Sequence, residues 1–350
     1  DVVFTEFVNI QSAFYSPHTL LKDLTYAELE RPVVAQIYGR APELFYKVAH
    51  IVCELGFDGL DINMGCPSRK VAASGCGAAL IRAPALAREI IREARRGIED
   101  WFAGQSLKAV GIEEAVIESV EACNGQRNGI VRRRLIPVSV KTRLGYERNI
   151  VEDWIPVLLE ERPSVISLHG RTLQQGYKGN ADWDAIARAV EIAHGSETLI
   201  LGNGDAQDLA DVCKRVREAD VDGVLLGRAA QGNPWVFANT QEIKTVAAGN
   251  EPICASVAAV TLAERFRVIN EHCEHYEKLA GNRNFVAMRK HLTWYCKNFR
   301  GAAELRSQMI RVNSAREVAD CLARFCLRAA EESPALVMAS RDQGEAFTHL

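Results

Sequence analysis

Short runs of Val, Ile and Leu, each about the length of a strand, recur along the first two-thirds of this 350-residue chain and alternate with helical patterns. That alternation constrains the fold more than any other feature. Buried strands separated by helices pack as a parallel sheet with crossover helices. Seven strands are expected, at about 2–8, 33–38, 59–64, 138–143, 165–169, 198–202 and 223–227. Several are apolar nearly throughout, as strands covered on both faces are. The pattern fits an α/β fold of the TIM (β/α)8 type, one strand short of the eight that close such a barrel.

The helices between the strands have clear ends. Ala41 to Leu55 stops at Gly56, and Ala85 to Ile98 is rich in Ala, Glu and Arg. The connection from about 99 to 136 is longer than a barrel needs. It contains an amphipathic stretch, Gly111 to Cys123, followed by Arg132, Arg133 and Arg134. Lying between a helix and a strand, this insert is expected on the barrel end opposite the active site, as a solvated decoration or a partner surface. After Asn233 to Phe237 the strand pattern stops. Val257 to Leu279, Phe285 to Phe299, Ala302 to Val312 and Ala315 to Ala330 read as helices, with Asn313 and Ser314 as capping residues. The expected organisation is a barrel domain over 1–238, a small all-α helical bundle over 239–332, and a frayed tail over 333–350.

Composition narrows the class. Hydrophobic residues make up 48% and charged residues 25% of the chain, as in an ordinary globular protein. No apolar run approaches the ~20 residues that span a bilayer, and the start lacks a signal-peptide pattern. No membrane role is expected, and the chain reads as a cytoplasmic monomer. Ten cysteines include no C-x-x-C pair, so reduced thiols are expected and no metal site. Cys53, Cys213, Cys254, Cys273, Cys321 and Cys326 fall in helical patterns and read as packing residues. The net charge of −3 means that any nucleic acid must be met by local positive charge.

Chemistry concentrates at strand ends. The strand from Gly59 to Met64 runs into a Gly65–Cys66–Pro67 corner, placing Asn63 at its end and Cys66 on the loop beyond. Such loops carry active sites in parallel α/β proteins. Alone, a Cys-Pro such as Cys66–Pro67 is more often a buried structural cysteine beside a turn proline, and Cys76 in the same region is a rival. Gly202 to Asp205 and Gly227–Arg228 close the last two strands, where barrels of this type bind phosphate. Two such turns in succession point to a phosphorylated cofactor. Lys141 stands within an apolar strand and shares its face with Arg143, so it should face a polar pocket. His169 ends the next strand and is either a satisfied core histidine or a site residue.

Taken in order, the segments Val33–Gly39, Asp61–Pro67, Gly75–Leu80, Val138–Gly145, Leu168–Thr172, Gly202–Asp205 and Gly223–Arg228, with Arg289, Lys290, His291, Trp294 and Tyr295, resemble the tRNA-dihydrouridine synthases over roughly residues 2 to 328. The resemblance makes the absent strand the first, since family members begin with a strand and flavin-contacting turn that this chain lacks, and a truncated sequence is the expected reason. It implies FMN as cofactor, with Asn203, Gly204, Asp205, Gly227 and Arg228 around its phosphate, Gln36 and Lys141 at its ring, and His169 touching cofactor and substrate. It implies NADPH or NADH as reductant and tRNA as substrate. Hydride would pass from the flavin N5 to C6 of a uracil and a proton from Cys66 to C5, a generic thiol of pKa ~8.5 being protonated at neutral pH. Asn63 would hydrogen-bond the base, and Arg143 and Arg171 would lie on the substrate side. Arg289, Lys290 and His291 would meet the RNA from the helical domain. Trp294 and Tyr295 remain either core residues or stacking platforms, and the basic cluster either an RNA surface or a solvated face. Two other readings stay open: an FMN barrel reductase for a free pyrimidine or activated alkene, and a flavin-free tRNA-binding relative.

Overall fold

The computed structural model describes residues 1–11, 14, 21, 23–127, 131–238, 260–280 and 282–332. The beginning of the helix expected at Val257, the tail from 333 and Cys254 lie outside these residues. The described chain up to Leu226 forms one compact unit, and from Gly227 onward a second.

The first unit is a parallel sheet with helices between its strands. Strands β1 (Val3–Phe4) and β2 (Val8–Asn9) both pair with β3 (Val33–Tyr38). Helix α1 (Pro42–Glu54) leads to β4 (Gly59–Asn63). Then come α2 (Arg69–Ala73), a 3-10 turn over Gly77–Arg82, α3 (Pro84–Phe102) and α4 (Glu114–Arg127). β5 (Val138–Arg143), α5 (Val151–Leu159), β6 (Val165–His169), α6 (Trp183–Ala193), β7 (Leu199–Asn203), α7 (Leu209–Ala219) and β8 (Gly223–Leu225) complete the succession. Neighbours run in the order β1-β3-β4-β5-β6-β7-β8 and every pair is parallel. This is the strand–helix succession of a TIM-type barrel. Among the described residues the path is open, without pairing between β8 and β1.

The first expected strand is one strand with a bulge. Val3 and Phe4 face Val33 and Val34, whereas Val8 and Asn9 face Ile37 and Tyr38, so the edge strand carries one extra residue. Thr5 fills the break: its N–H donates to Val34 O, and its Oγ1 accepts from the Gln36 N–H at 3.0 Å.

Strand alternation splits the sheet into two faces. Leu60, Ile62, Val140, Ile166, Leu168 and Ile200 form an apolar face in the main core. Helices α1 and α3 pack closely because Gly97 has no side chain; a Cβ there would meet Tyr46 O at 2.4 Å. The 99–136 insert lies at the amino-terminal end of β4. Asn124 Nδ2 donates to Glu54 O, Arg133 donates to Trp101 O, and Arg134 pairs with Asp58. Arg134 thus fastens the end of the insert to the residue before β4, and Arg133 ties it back to the last turn of α3.

The second unit begins with 3-10 turns over Arg228–Ala230 and Pro234–Phe237. Helices α8 (Leu262–Ala280), α9 (Met288–Tyr295), α10 (Ala302–Met309) and α11 (Ala315–Glu332) follow, with a 3-10 turn over Asn282–Ala287. Ile269, Met288, Leu292, Leu305, Met309 and Val318 form its core. The expected cap at Asn313 and Ser314 forms: Ser314 Oγ accepts from Glu317 N–H, and Glu317 Oε2 reaches back to accept from Asn313 N–H, one residue before the cap. All nine described cysteines are free. Cys326, expected to pack, is exposed, because it falls on the outer face of α11.

Candidate active site

The face of the sheet opposite the apolar core is polar. The register places Gln36 beside Asp61 and Asp61 beside Ser139. Further along, Asn63 is beside Lys141 and Lys141 beside Ser167; at the strand ends Arg143, His169 and Asn203 are neighbours. Gln36, Asp61, Asn63, Ser139, Arg143, Ser167 and His169 are all buried. Burial of so many polar groups is costly unless they bond to one another or to a ligand.

Most of them bond to one another. Gln36 Nε2 donates to Asp61 Oδ2 at 2.7 Å, and Asn63 Nδ2 donates to Gln36 Oε1 at 2.9 Å. Asn63 Oδ1 accepts from the backbone N–H groups of Gly65 at 3.1 Å and Cys66 at 2.9 Å. The β4 asparagine therefore shapes the Gly–Cys–Pro corner directly. Cys66 is 7% exposed and its Sγ has no hydrogen-bond partner among the described residues. Cys76 Sγ, by contrast, donates to Ser74 O at 3.7 Å. The corner closes on Gly77 (φ +59°), where a Cβ would lie 3.1 Å from Cys66 Cβ.

Two buried arginines hold the loop beyond β6. Arg143 donates to Gly65 O at 2.7 Å and to Thr172 O at 3.0 Å. Arg171, 2% exposed, donates to Asp205 Oδ2 at 2.6 Å and to the carbonyls of Lys178 and Gly179. Asp205 also accepts from Ala181 N–H, so its carboxylate braces the loop. Gly204 (φ +131°) must be glycine, since a Cβ would sit 2.6 Å from Ala181 Cβ and 3.2 Å from His169 Cδ2. Tyr177, exposed at the loop's tip, lies 6.4 Å from His169 between ring centroids.

The electrostatics follow from burial. Desolvation, helped by Arg143, pushes the Lys141 ammonium down to about 8, with Asp61 opposing. Burial and the cations Arg143, Lys141 and Arg171 push His169 down to about 3, so its imidazole is neutral at ordinary pH. Burial raises the Asp61 carboxyl, opposed by hydrogen bonds from Ser139 and Gln36 and by Lys141.

The other expected residues belong to the second unit. Gly227 and Arg228 are exposed and open the second unit. In that unit Arg289 donates to Val312 O and Asn313 Oδ1, bracing the end of α10. Lys290 is exposed over the Trp294 ring, and His291 packs edge-on against Trp294 and His272. Tyr295 is core, whereas Trp294 is half-buried.

Ser167 and Ser139 do not stand out in the sequence, and Asp61 does so only as the first residue of the Asp61–Pro67 motif. Ser167 Oγ is buried and has no hydrogen-bond partner among the described residues. Among the described residues the Lys141 ammonium has one acceptor, Asn203 Oδ1 at 3.3 Å, for its three hydrogens. An orphaned hydroxyl and an under-used cation on one polar face fit a ligand with carbonyl or anionic edges, as an isoalloxazine ring has. Period-two alternation with Lys141 and His169 was the available signal for this face.

A sequence model described as dihydrouridine synthase matches residues 1–131 and 120–332. The chain belongs to the dihydrouridine synthase family. It is 32% identical over 330 residues to the probable tRNA-dihydrouridine synthase 2 of Bacillus subtilis, covering 93% of this chain and 86% of that protein. It is 30% identical over 336 residues to the probable tRNA-dihydrouridine synthase 1 of Synechocystis, covering 93% and 81%. With the probable tRNA-dihydrouridine synthase of Staphylococcus aureus (strain MRSA252) the identity is 31% over 333 residues, covering 93% and 85%. The family is one of flavin-dependent oxidoreductases. Among the described residues no helix is long and apolar enough to cross a membrane and no His, Cys, Asp and Glu group could hold a metal ion.

Proposed function

We propose that this chain is a tRNA-dihydrouridine synthase, a cytoplasmic monomer that binds FMN, uses NADPH or NADH as reductant, and saturates the C5=C6 bond of a uracil in tRNA. The observation that carries the reading is Cys66, its backbone N–H held by Asn63 and its thiol without a hydrogen-bond partner among the described residues, beside the Lys141–His169–Asn203 cluster in a chain of this family. Gln36, Lys141, His169, Asn203 and Gly204 would hold the cofactor, with the Asp205 backbone following. Gly227 and Arg228 are assigned to its phosphate on sequence alone. When bound, FMN supplies the hydride that reaches C6 of the base.

The chain's residues do the rest. Lys141 places a cation on the polar face, where it favours a ligand that gains negative charge. Neutral His169 accepts from Arg171 at Nε2, 3.4 Å away, which leaves Nδ1–H as a donor that adds no charge. Asn63 has one Nδ2 hydrogen beyond its bond to Gln36, and this donor suits a uracil carbonyl. Cys66 gives the Sγ proton to C5 as C6 takes the hydride, so the base gains H⁻ and H⁺ and the thiolate recovers a proton from water. Arg143 and Arg171 serve the substrate by fixing the loops around it. A uridine within folded tRNA must be turned out to reach the site, with Lys290, His291 and Arg289 on the RNA-holding surface.

Turnover on tRNA lacking dihydrouridine, compared with free uridine, tests the proposal. The expected result is product in tRNA alone, FMN released on denaturation, and tRNA affinity falling steeply with salt. Equal turnover of free uridine would favour a small-molecule reductase instead.

A further inference from the structure

Asp61 is fully buried on the polar face and takes no part in the chemistry proposed above. Both its oxygens are occupied: Ser139 Oγ donates to Oδ1 at 2.6 Å and Gln36 Nε2 donates to Oδ2 at 2.7 Å. From Gln36 the bonds continue to Asn63 and on to the N–H groups of Gly65 and Cys66. The direction of this chain is fixed from its far end. Backbone N–H groups only donate, so Asn63 must turn its oxygen to the corner and its nitrogen to Gln36. Gln36 must answer with oxygen, which turns its own nitrogen toward position 61. Only an acceptor can close the chain there, and an ionised carboxylate offers nothing else.

We infer that Asp61 is a positioning residue for proton transfer: by ending this chain it locks the amides of Gln36 and Asn63, and through Asn63 it holds the Cys66 thiol in place. The inference rests on the reading of Cys66 as proton donor. A reversed Asn63 amide would set its NH2 against two backbone N–H groups and release the corner. Without an acceptor at 61, Gln36 is free to turn its NH2 toward Asn63, where donor would face donor, and Asn63 loses the partner that anchors it against the corner. Hydrogen-bond chains of this kind act as units.

The test is alkylation of individual cysteines in the purified 350-residue chain by iodoacetamide, followed by mass spectrometry. Cys66 at 7% and Cys76 at 4% exposure are comparably buried, and exposed Cys326 reports reagent activity. Asp61→Asn keeps an oxygen for Gln36 and should leave Cys66 protected. Asp61→Leu removes it, and should raise Cys66 alkylation about tenfold, the scale of one lost hydrogen bond, with Cys76 unchanged. Its kcat should fall by about 10- to 100-fold while KM for tRNA barely moves. Gln36→Met breaks the next link and should give the same cysteine pattern, deciding the matter if the leucine variant does not fold. Native Cys66 protection in either folded variant would overturn the inference. So would equal rises at Cys66 and Cys76, which mark general loosening. Alkylation needs no turnover, so a native chain inactive on tRNA would remove the functional reading and leave this pattern to be judged by itself.

Discussion

Removing the Arg171 guanidinium should loosen the roof of the site by an amount the structure allows to be worked out. Arg171→Met keeps the length of the stem and deletes the bonds to Asp205, Lys178 O and Gly179 O. Breaking a buried pair from one side costs about 3–5 kcal/mol, because the partner charge is stranded. Asp205 retains 27% side-chain exposure and would be partly rehydrated, so about 2–4 kcal/mol is expected. For a unit of this size each kcal/mol lowers the melting temperature by about 2–4 °C, giving a drop of roughly 5–15 °C. The assay is a thermal-melt cycle with Arg171→Met, Asp205→Asn and the double variant. Losing both partners should cost less than the sum of the single losses, with a coupling of about 1–3 kcal/mol. A drop of about 1 °C, within the range of neutral surface changes, or strict additivity would refute the idea that this pair braces the loop.

Acid should weaken the fold through His169. Its folded value of about 3 lies below the ordinary 6.5, so the unfolded chain binds the extra proton. Stability is full above pH ~6.5 and lost as pH falls toward ~3, by about 2 kcal/mol at pH 5. Buried His50, lowered by desolvation, acts in the same direction, while the raised Asp61 carboxyl opposes both. Urea melts of His169→Asn should show a flatter slope between pH 7 and 5; an unchanged slope would contradict the assignment. Gly204→Ala should cost roughly 2–5 kcal/mol through its left-handed backbone and its clash with Ala181. It should also weaken flavin retention measured by absorbance, and a variant as stable as the native chain would show that the loop can move aside.

The strand ends were legible because each is an apolar run closed by a polar residue or a turn. Gln36, Asn63, Lys141, His169 and Asn203 therefore fall on neighbouring strands facing one way. The bulge in the first strand was not legible, since Thr5 substitutes a side-chain oxygen for a ladder partner and leaves the apolar pattern intact. Nor were the tasks of Arg143 and Arg171, whose partners include carbonyls and a carboxylate brought close only by folding. Asp61 was visible as part of a motif, but its meaning depends on a hydrogen-bond direction that no spacing encodes. In the helical unit the sequence marks Arg289 as one of a basic cluster, and its bond to the Val312 carbonyl arises only from tertiary packing.

The most direct measurement incubates the chain and Cys66→Ala, each with bound flavin, NADPH and tRNA lacking dihydrouridine, and reads the nucleosides by mass spectrometry. The expected result is a uridine that gains two hydrogens with the native chain and stays unreduced with Cys66→Ala, although the variant keeps its flavin. Equal dihydrouridine from both proteins would contradict Cys66 as the proton donor, and none from either would contradict the proposed activity.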